Sequence, residues 1–317
     1  MTEMAGNRRL KRRAVAWLAE TGYFMAGLGF LSLAKARHTL KGYTTSKPRR
    51  RGADPYGQLA DYDRRVVDHW LGWLERATGR DADAALEGKT VLELGPGEDL
   101  GVGLYLLARD AGRYLAVDAH PLALAAPAAF YDRFFEHLAR LRPEVETDRL
   151  REILNAAEAG TSDRLRYIVR PDFDLVAALE GTTVDLVFSQ AAFEHFDDIP
   201  ETIRRISTVA APGARLVAEI DLQTHSRWIR DRDPNNIYRY PEALYRLFRF
   251  RGIPNRVRPH QYQAELAANG WKDVTFTPLT VLSDRHHQPG PEALSRPFRS
   301  PESRMHILTG ILSARKG

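Results

Sequence analysis

The run Thr90-Val91-Leu92-Glu93-Leu94 leads directly into Gly95-Pro96-Gly97-Glu98-Asp99-Leu100-Gly101. A strand that turns through glycines into a helix lets its backbone lie against a ligand, because no Cβ stands in the way. Dinucleotide enzymes use a similar turn, but two details set this one apart. Three residues, not two, separate Gly97 from Gly101. Glu93 also precedes the first glycine, and a carboxylate there repels a pyrophosphate but suits a ligand bearing an ammonium group. Asp118 closes the next apolar run, Tyr114–Val117. From that strand end it is placed to accept both hydroxyls of a ribose.

Two histidines follow later strand-like runs. His195 stands in Phe193-Glu194-His195, after Val184–Ser189, and His225 follows Arg215–Ile220. Imidazole titrates near neutrality, so each is a candidate general base for a hydroxyl acceptor. His195 reads equally as a pocket wall. His286-His287 sit in a late loop and read as solvated. Glu219, Asp221 and His225 alternate along the chain, but no constellation is convincing enough to predict a metal.

These residues need a scaffold that carries them at strand ends, and the patterning supplies one. Helical periodicity in Val66, Val67, Trp70, Leu71 and Leu74 precedes the first strand. From Thr90 strands and helices alternate, with strands at 90–94, 114–117, 165–169, 184–189 and 215–220. Helices are predicted at 101–109, 122–141, 149–157, 199–210 and 264–269, the fourth stopped by Pro212-Gly213. Two late strands, 274–282 and 306–314, lack a good helix between them and read as an antiparallel hairpin at the sheet edge. The expected fold is therefore α/β: a mostly parallel sheet of seven strands with helices on both faces. The segment 225–262 is too long for an ordinary loop and follows a strand at the ligand-binding edge. Its Trp228, Tyr238, Tyr240, Tyr245, Arg227, Arg230 and Arg239 suit a polar, ring-shaped or anionic acceptor; alternatively its aromatics pack the segment on itself.

Charge divides the 317-residue chain. Its net charge is +5, yet residues 1–51 hold twelve Lys or Arg against Glu3 and Glu20. A mildly acidic body, residues 53–317, thus follows a basic arm, residues 1–52. Such an arm seeks anionic surfaces. After the basic run Arg8–Arg13 it carries an apolar stretch with Trp17, Phe24 and Phe30, interrupted by Glu20 and glycines. Three readings stand: a helix packed on the body, a helix lying in a membrane interface through residues 8–51, or a span. Residues 46–55 read as a solvated linker. Hydrophobic content of 44% and charged content of 27% are those of a globular chain. The absence of cysteine excludes disulfides, thiolate zinc sites and cysteine nucleophiles, and it fits a reducing cytoplasm. The arm adds an expectation of peripheral placement at the inner membrane face. Oligomeric state is left open.

The pieces Val91-Leu92-Glu93-Leu94-Gly95-Pro96-Gly97, Val117-Asp118, Val184–Gln190 with Phe193-Glu194-His195, and Ala211–Val217 together resemble the class I S-adenosylmethionine-dependent methyltransferases over roughly residues 85–317. The resemblance implies a Rossmann-like methyltransferase fold and S-adenosylmethionine as cofactor. It implies that Glu93, Gly95 and Gly97 face the methionine part and that Asp118 holds the ribose. It further implies that Asp172 or Phe173 borders the adenine, and Ser189 and Gln190 the transferred methyl. Glu98-Asp99 stands where the family usually has its third glycine, which predicts a wider turn. The stretch from Glu219 to Arg258 resembles a subgroup associated with cell-surface glycan and glycolipid assembly, implying a small-molecule or glycan-like acceptor; methylation is expected on oxygen, with nitrogen as the alternative. A nicotinamide-dependent oxidoreductase is the first rival; the glycine spacing, Glu93 and the lack of a catalytic lysine or tyrosine–lysine pair count against it. A nucleic-acid methyltransferase is the second. The basic arm favours it, but the acidic body and Ser189-Gln190-Ala191-Ala192, in place of Asn-Pro-Pro-aromatic, make nucleic acid a poor partner. A scaffold that binds cofactor without turnover is the third.

Overall fold

A computed structural model describes the backbone of residues 2–43 and 53–317, and the side chains of 17–43 and 53–317. Most of the expected linker, including Arg49-Arg50-Arg51, lies outside the described residues. The chain forms α1 (Thr2–Lys41), α2 (Pro55–Thr78), α3 (Ala82–Leu86), β1 (Thr90–Leu94), α4 (Gly101–Leu107) and β2 (Arg113–Asp118). It continues through α5 (Ala128–Leu141), α6 (Thr147–Glu158), β3 (Leu165–Val169), α7 (Leu175–Leu179), β4 (Val184–Gln190), α8 (Ile199–Val209) and β5 (Ala210–Asp221). Then come α9 (Arg227–Arg230), α10 (Glu242–Phe248), α11 (Pro259–Ala268), β6 (Trp271–Val281) and β7 (Ile307–Lys316).

The sheet order is β3-β2-β1-β4-β5-β7-β6. The first five strands are parallel, and β7 is antiparallel to both neighbours. The expected hairpin is present, but its second strand, not its first, lies against β5. The central strands are continuous apolar runs because both faces are covered. One face carries α2, α4, α5 and α6, with Trp70 stacked on Phe188 at 4.8 Å between centroids. The other carries α7, α8 and α11, where Ile199, Ile203 and Ile206 are buried. The α2 sequence sets its own ends. Asp54 caps the first turn by accepting from Gly57 N at 2.9 Å, Pro55 opens the helix, and Gly79 closes it at φ +67°.

Two expected boundaries shift for physical reasons. The helix expected from Leu122 starts at Ala128, because Pro127 holds an extended φ/ψ before it. Strand β5 starts at Ala210 and runs through Pro212-Gly213, which were expected only to stop a helix. Gly213 at φ +81° and a register shift between Val184 and Leu186 accommodate them.

A third cluster lies outside the sheet layers. Ile237, Tyr238, Tyr240, Tyr245, Ile253, Leu294 and Phe298 are buried with Leu31 of α1. Tyr238, Tyr240, Tyr245 and Arg239 are therefore spent on packing the excursion after β5 and on docking α1, not on an acceptor surface. Of the aromatics named for that role, Trp228 is the one left open, 84% exposed. Gly27 lets α1 come close, since a Cβ there would collide with Asn236 and Tyr240. Asn236 Nδ2 donates to Tyr23 O at 2.9 Å, and the Tyr240 hydroxyl to Phe24 O at 3.1 Å. Glu20, the charge interrupting the apolar stretch, is paired with Arg239 and with His287 at 2.9 Å. His286 is buried and His287 stacks on Tyr23 at 4.4 Å, so neither is the solvated loop residue expected from sequence. Of the three readings of the arm, packing on the body holds for this face of α1. No helix among the described residues is long and apolar enough to cross a membrane.

Candidate active site

The carboxyl ends of β1, β2, β4 and β5 meet at one edge, and the candidate residues gather there. At the end of β1, Gly95 N donates to Val117 O at 2.9 Å. Gly95 has φ +73°, and a Cβ on it would stand 2.8 Å from that of Ala192, so the turn closes against the loop after β4. Gly97 at φ +83° has open space where a Cβ would be. Local contacts hold the stretch from Glu98 to Gly101 in place. Asp99 is buried and its Oδ1 accepts from Gly101 N at 3.0 Å, while the Asp63 carboxylate of α2 fills the position a Cβ on Gly101 would need. Glu93 is buried beneath the turn, with Oε2 accepting from the Tyr114 hydroxyl at 2.5 Å.

Asp118 ends β2 nearly buried. Its Oδ1 accepts from His120 N at 2.9 Å, and the amides of Gly97 and Ala119 also favour its charge. Burial outweighs them and moves its pKa up. The ring of Tyr43, just past α1, stacks on His120 at 4.2 Å and occupies the space a side chain on Gly252 would need. Burial, then the charges of Asp118 and Glu194, push the Tyr43 hydroxyl up to about 12. Tyr43, the second residue after α1's end, therefore lies against His120 and within electrostatic reach of Asp118.

The other expected residues divide. Asp172 is exposed, paired with Arg170 at 2.8 Å, and not brought to the cluster by its side chain. Phe173 adopts φ +49° and packs on Phe196 at 4.7 Å. The buried Ser189 hydroxyl donates to Leu94 O at 3.0 Å, clasping β4 to β1. Gln190 and His69 both bond Glu219, and Trp73 Nε1 donates to His69 Nε2 at 2.9 Å. That bond leaves His69 Nδ1, 3.4 Å from Glu219, as its proton-bearing nitrogen. Glu219 thus belongs with His69, not with His225. Ala191, like Phe173, holds a left-handed φ, +49°. Such strain in non-glycine residues concentrates at functional sites.

Past Ala191 a short turn, Phe193–His195, sets Glu194 and His195 against His225. The two imidazoles lie 4.7 Å apart at 65°. His195 Nδ1 is 2.5 Å from Gly252 O, so it carries the proton and leaves Nε2 with a lone pair. His225 Nε2 is buried without a hydrogen-bond partner. Burial holds both histidines below the usual imidazole range, His225 well below, with His195 and Arg230 adding to the effect. Glu194 is buried and neither carboxylate oxygen makes a full hydrogen bond, although the amides of Glu194 and Asp221 favour its charge. Burial, then the neighbouring Asp221 and Glu219, raise its pKa well above the carboxylate range. Sequence reasoning passed over Glu194, Tyr43 and His69. Phe193-Glu194-His195 carried a local signal of which only the histidine reads as chemical from sequence; Tyr43 and His69 gave none.

This edge fits S-adenosylmethionine. The turn is open in front of Gly97, a carboxylate stands ready for the ribose, and buried acidic groups suit a cofactor with ammonium and sulfonium charges.

A methyltransferase-domain family model matches residues 62–275. No curated protein matches the chain. Among solved structures, a candidate sarcosine dimethylglycine methyltransferase of Galdieria sulphuraria is 16% identical over 89% of this chain and 97% of its own, with a TM-score of 0.44. A candidate O-methyltransferase of Nostoc punctiforme PCC 73102 is 15% identical over 93% and 69%, at 0.41. An S-adenosylmethionine-dependent methyltransferase of Mesorhizobium loti is 15% identical over 79% and 100%, also at 0.41. Neither the nicotinamide nor the nucleic-acid reading gains support from these matches. With its seven-stranded sheet, its glycine turn and Asp118, the chain belongs to the methyltransferase-domain family and is an S-adenosylmethionine-dependent methyltransferase.

Proposed function

We propose that the protein methylates a hydroxyl oxygen of a small polar acceptor, with a glycan-like ring as the favoured class. The observation that carries this is the pair His195 and His225, kept uncharged by burial beside the loop that closes on Gly95. S-adenosylmethionine, when bound, supplies an already activated methyl group, so the protein's work is positioning and proton removal. Gly95, Gly97 and Asp118 hold the cofactor, Phe173 lines its adenine side, and Gln190 offers a buried, unpartnered Oε1 at the strand end. His225 Nε2 is the lone pair that accepts the hydroxyl proton, with His195 as its wall. Trp228, exposed three residues beyond His225, gives a ring-shaped acceptor a flat apolar face. The resemblance of Glu219–Arg258 to methyltransferases of glycan and glycolipid assembly favours the same acceptor.

Incubation with methyl-labelled cofactor and a panel of saccharide, glycolipid and amine acceptors tests this. Label should enter hydroxyl acceptors. His225→Ala should slow transfer by about 10²–10⁴-fold, the usual worth of a general base, with cofactor affinity retained. Labelling of amines alone would remove the oxygen assignment, and an unaffected variant would remove His225.

We also infer that α1 meets an anionic membrane surface. Its outward face between residues 17 and 40 carries Leu18, Met25, Leu33 and Leu40, each exposed, interspersed with Gly22, Gly29 and Ala36 and with no charged residue among them. The basic run Arg8–Arg13 lies on the same helix. An apolar stripe beside cationic residues is the pattern of an interfacial helix. Vesicles containing anionic phospholipid should sediment the protein, and neutral vesicles should do so weakly. Burying a leucine side chain is worth about 1.5–3 kcal/mol, so Leu18→Glu with Met25→Glu and Leu33→Glu should weaken binding by at least about 100-fold. Equal sedimentation of the triple variant would sink the idea.

A further inference from the structure

We propose that Glu194, His195 and His225 form a site for one divalent transition-metal ion of the zinc type, with a coordination position open to the acceptor. One ligand atom from each of the three lies within 4.8 Å of the others. The independent observation is what those atoms lack. Both Glu194 oxygens and His225 Nε2 are buried without a full hydrogen bond. Buried polar atoms are nearly always satisfied, so unpartnered atoms on two residues of one cluster call for a missing partner. Two are the oxygens of a carboxyl group, acceptor-only once it is ionised, and the third is an imidazole nitrogen. A cation answers all three at once.

The surroundings agree. Nearby charges are already matched, Asp221 by Arg230 at 2.6 Å and Glu219 by His69 and Gln190. Glu194 is the carboxylate left over, among acidic neighbours that a cation would relieve. His195 is oriented as metal-binding histidines are: its Nδ1 is held by a backbone carbonyl, Gly252 O, which fixes the tautomer and directs Nε2 outward. Asp221 Oδ2 lies 3.7 Å from the same His225 Nε2 and adds negative charge on the side a cation would occupy.

Two imidazoles and one carboxylate decide the class of ion. Magnesium and calcium prefer all-oxygen shells, whereas two nitrogens with one oxygen is the ligand set of open, catalytic zinc sites. Bonds of about 2.0–2.2 Å would draw the three ligand atoms together by roughly an ångström, within reach of side-chain adjustment. With three protein ligands the fourth position is free. An acceptor hydroxyl there becomes more acidic and loses its proton to water. Its oxygen then forms the new O–C bond, while the S–C bond breaks and its electron pair stays on sulfur. The His225 lone pair is in that case a ligand and not a base. The role assigned to the ion rests on the methyl-transfer reading; its binding does not.

Full-length protein, stripped with chelator and dialysed, is titrated with Co²⁺, whose visible absorption reports coordination number, and then with competing Zn²⁺. One equivalent with a four- or five-coordinate spectrum is expected. Losing even an outer-shell partner costs 10–100-fold in metal affinity, so Glu194→Gln and His225→Gln should each lose at least about 100-fold. S-adenosylhomocysteine binding, followed by calorimetry, verifies that both variants are folded. Absence of the spectrum in the wild type, or uptake unchanged in both variants, overturns the site. Failure of the wild type to bind S-adenosylhomocysteine with or without ion would instead strike the methyl-transfer reading, and the Co²⁺ titration would still decide the metal.

Discussion

Replacing Asp118 by alanine is expected to weaken S-adenosylmethionine and S-adenosylhomocysteine by about 100-fold or more in a calorimetric titration. A hydrogen bond to a charged group is worth about 1.5–3 kcal/mol, and the two hydroxyls of a ribose give this carboxylate two of them. The side chain is already aimed, because the amides of Gly97, Ala119 and His120 hold it at the end of β2. Little ordering is left to offset the gain on binding. Asp118→Asn keeps one carbonyl acceptor and should fall between wild type and alanine. Undiminished affinity in the alanine variant would show that the ribose is held elsewhere. A thermal unfolding scan of the same variants separates lost contact from lost fold.

The second large effect concerns stability. Arg239→Met should cost about 3–5 kcal/mol, the usual penalty for breaking a buried ion pair from one side. Arg239 and Asp233 have side chains 1% and 0% exposed and meet at 2.7 Å, with Glu20 as the second carboxylate. Removing the cation strands Asp233 in the interior, where Asn236 Nδ2, at 2.9 Å, is the one side-chain donor left among the described residues. Pairing Arg239→Met with Asp233→Leu should recover much of the loss, since an apolar replacement of a whole buried pair is often neutral. Urea unfolding measures both. A single variant as stable as wild type would mean that the three groups are solvated in solution. The loss should also free α1, because Glu20 is tied at the same point, and limited proteolysis would report earlier cleavage near Glu20.

The contrast between these residues shows what the sequence could and could not reveal. Asp118 was legible because strand end, glycine turn and spacing are all local. The parallel strands were legible for the same reason: burial on two faces writes continuous apolar runs. Arg239 was not. Its partners are 6 and 219 residues away, and as a sequence feature it resembled an acceptor-binding arginine as much as a structural one. For Tyr238, Tyr240 and Tyr245 the self-packing alternative is the one that holds, but nothing near them announces that α1 will also cover them. Glu20 looked like a flaw in an apolar helix until Arg239 and His287 gave it partners. Glu194 was overlooked because an unpartnered buried carboxylate is a property of the assembled edge, visible only once His225, thirty-one residues on, is brought beside it.

The position of Tyr43 has a thermodynamic consequence. A helix of 40 residues is about 60 Å long, and two residues beyond its end this ring rests on His120, next to the ribose carboxylate. With Asp118 holding the ribose as proposed, cofactor affinity and the placement of that helix become linked quantities. If an occupant of the helix's outward face shifts Tyr43 and changes cofactor affinity by some factor, the cofactor changes the occupant's affinity by the same factor. A single coupling free energy, measured from either end, would state how far where the chain sits governs whether it is loaded.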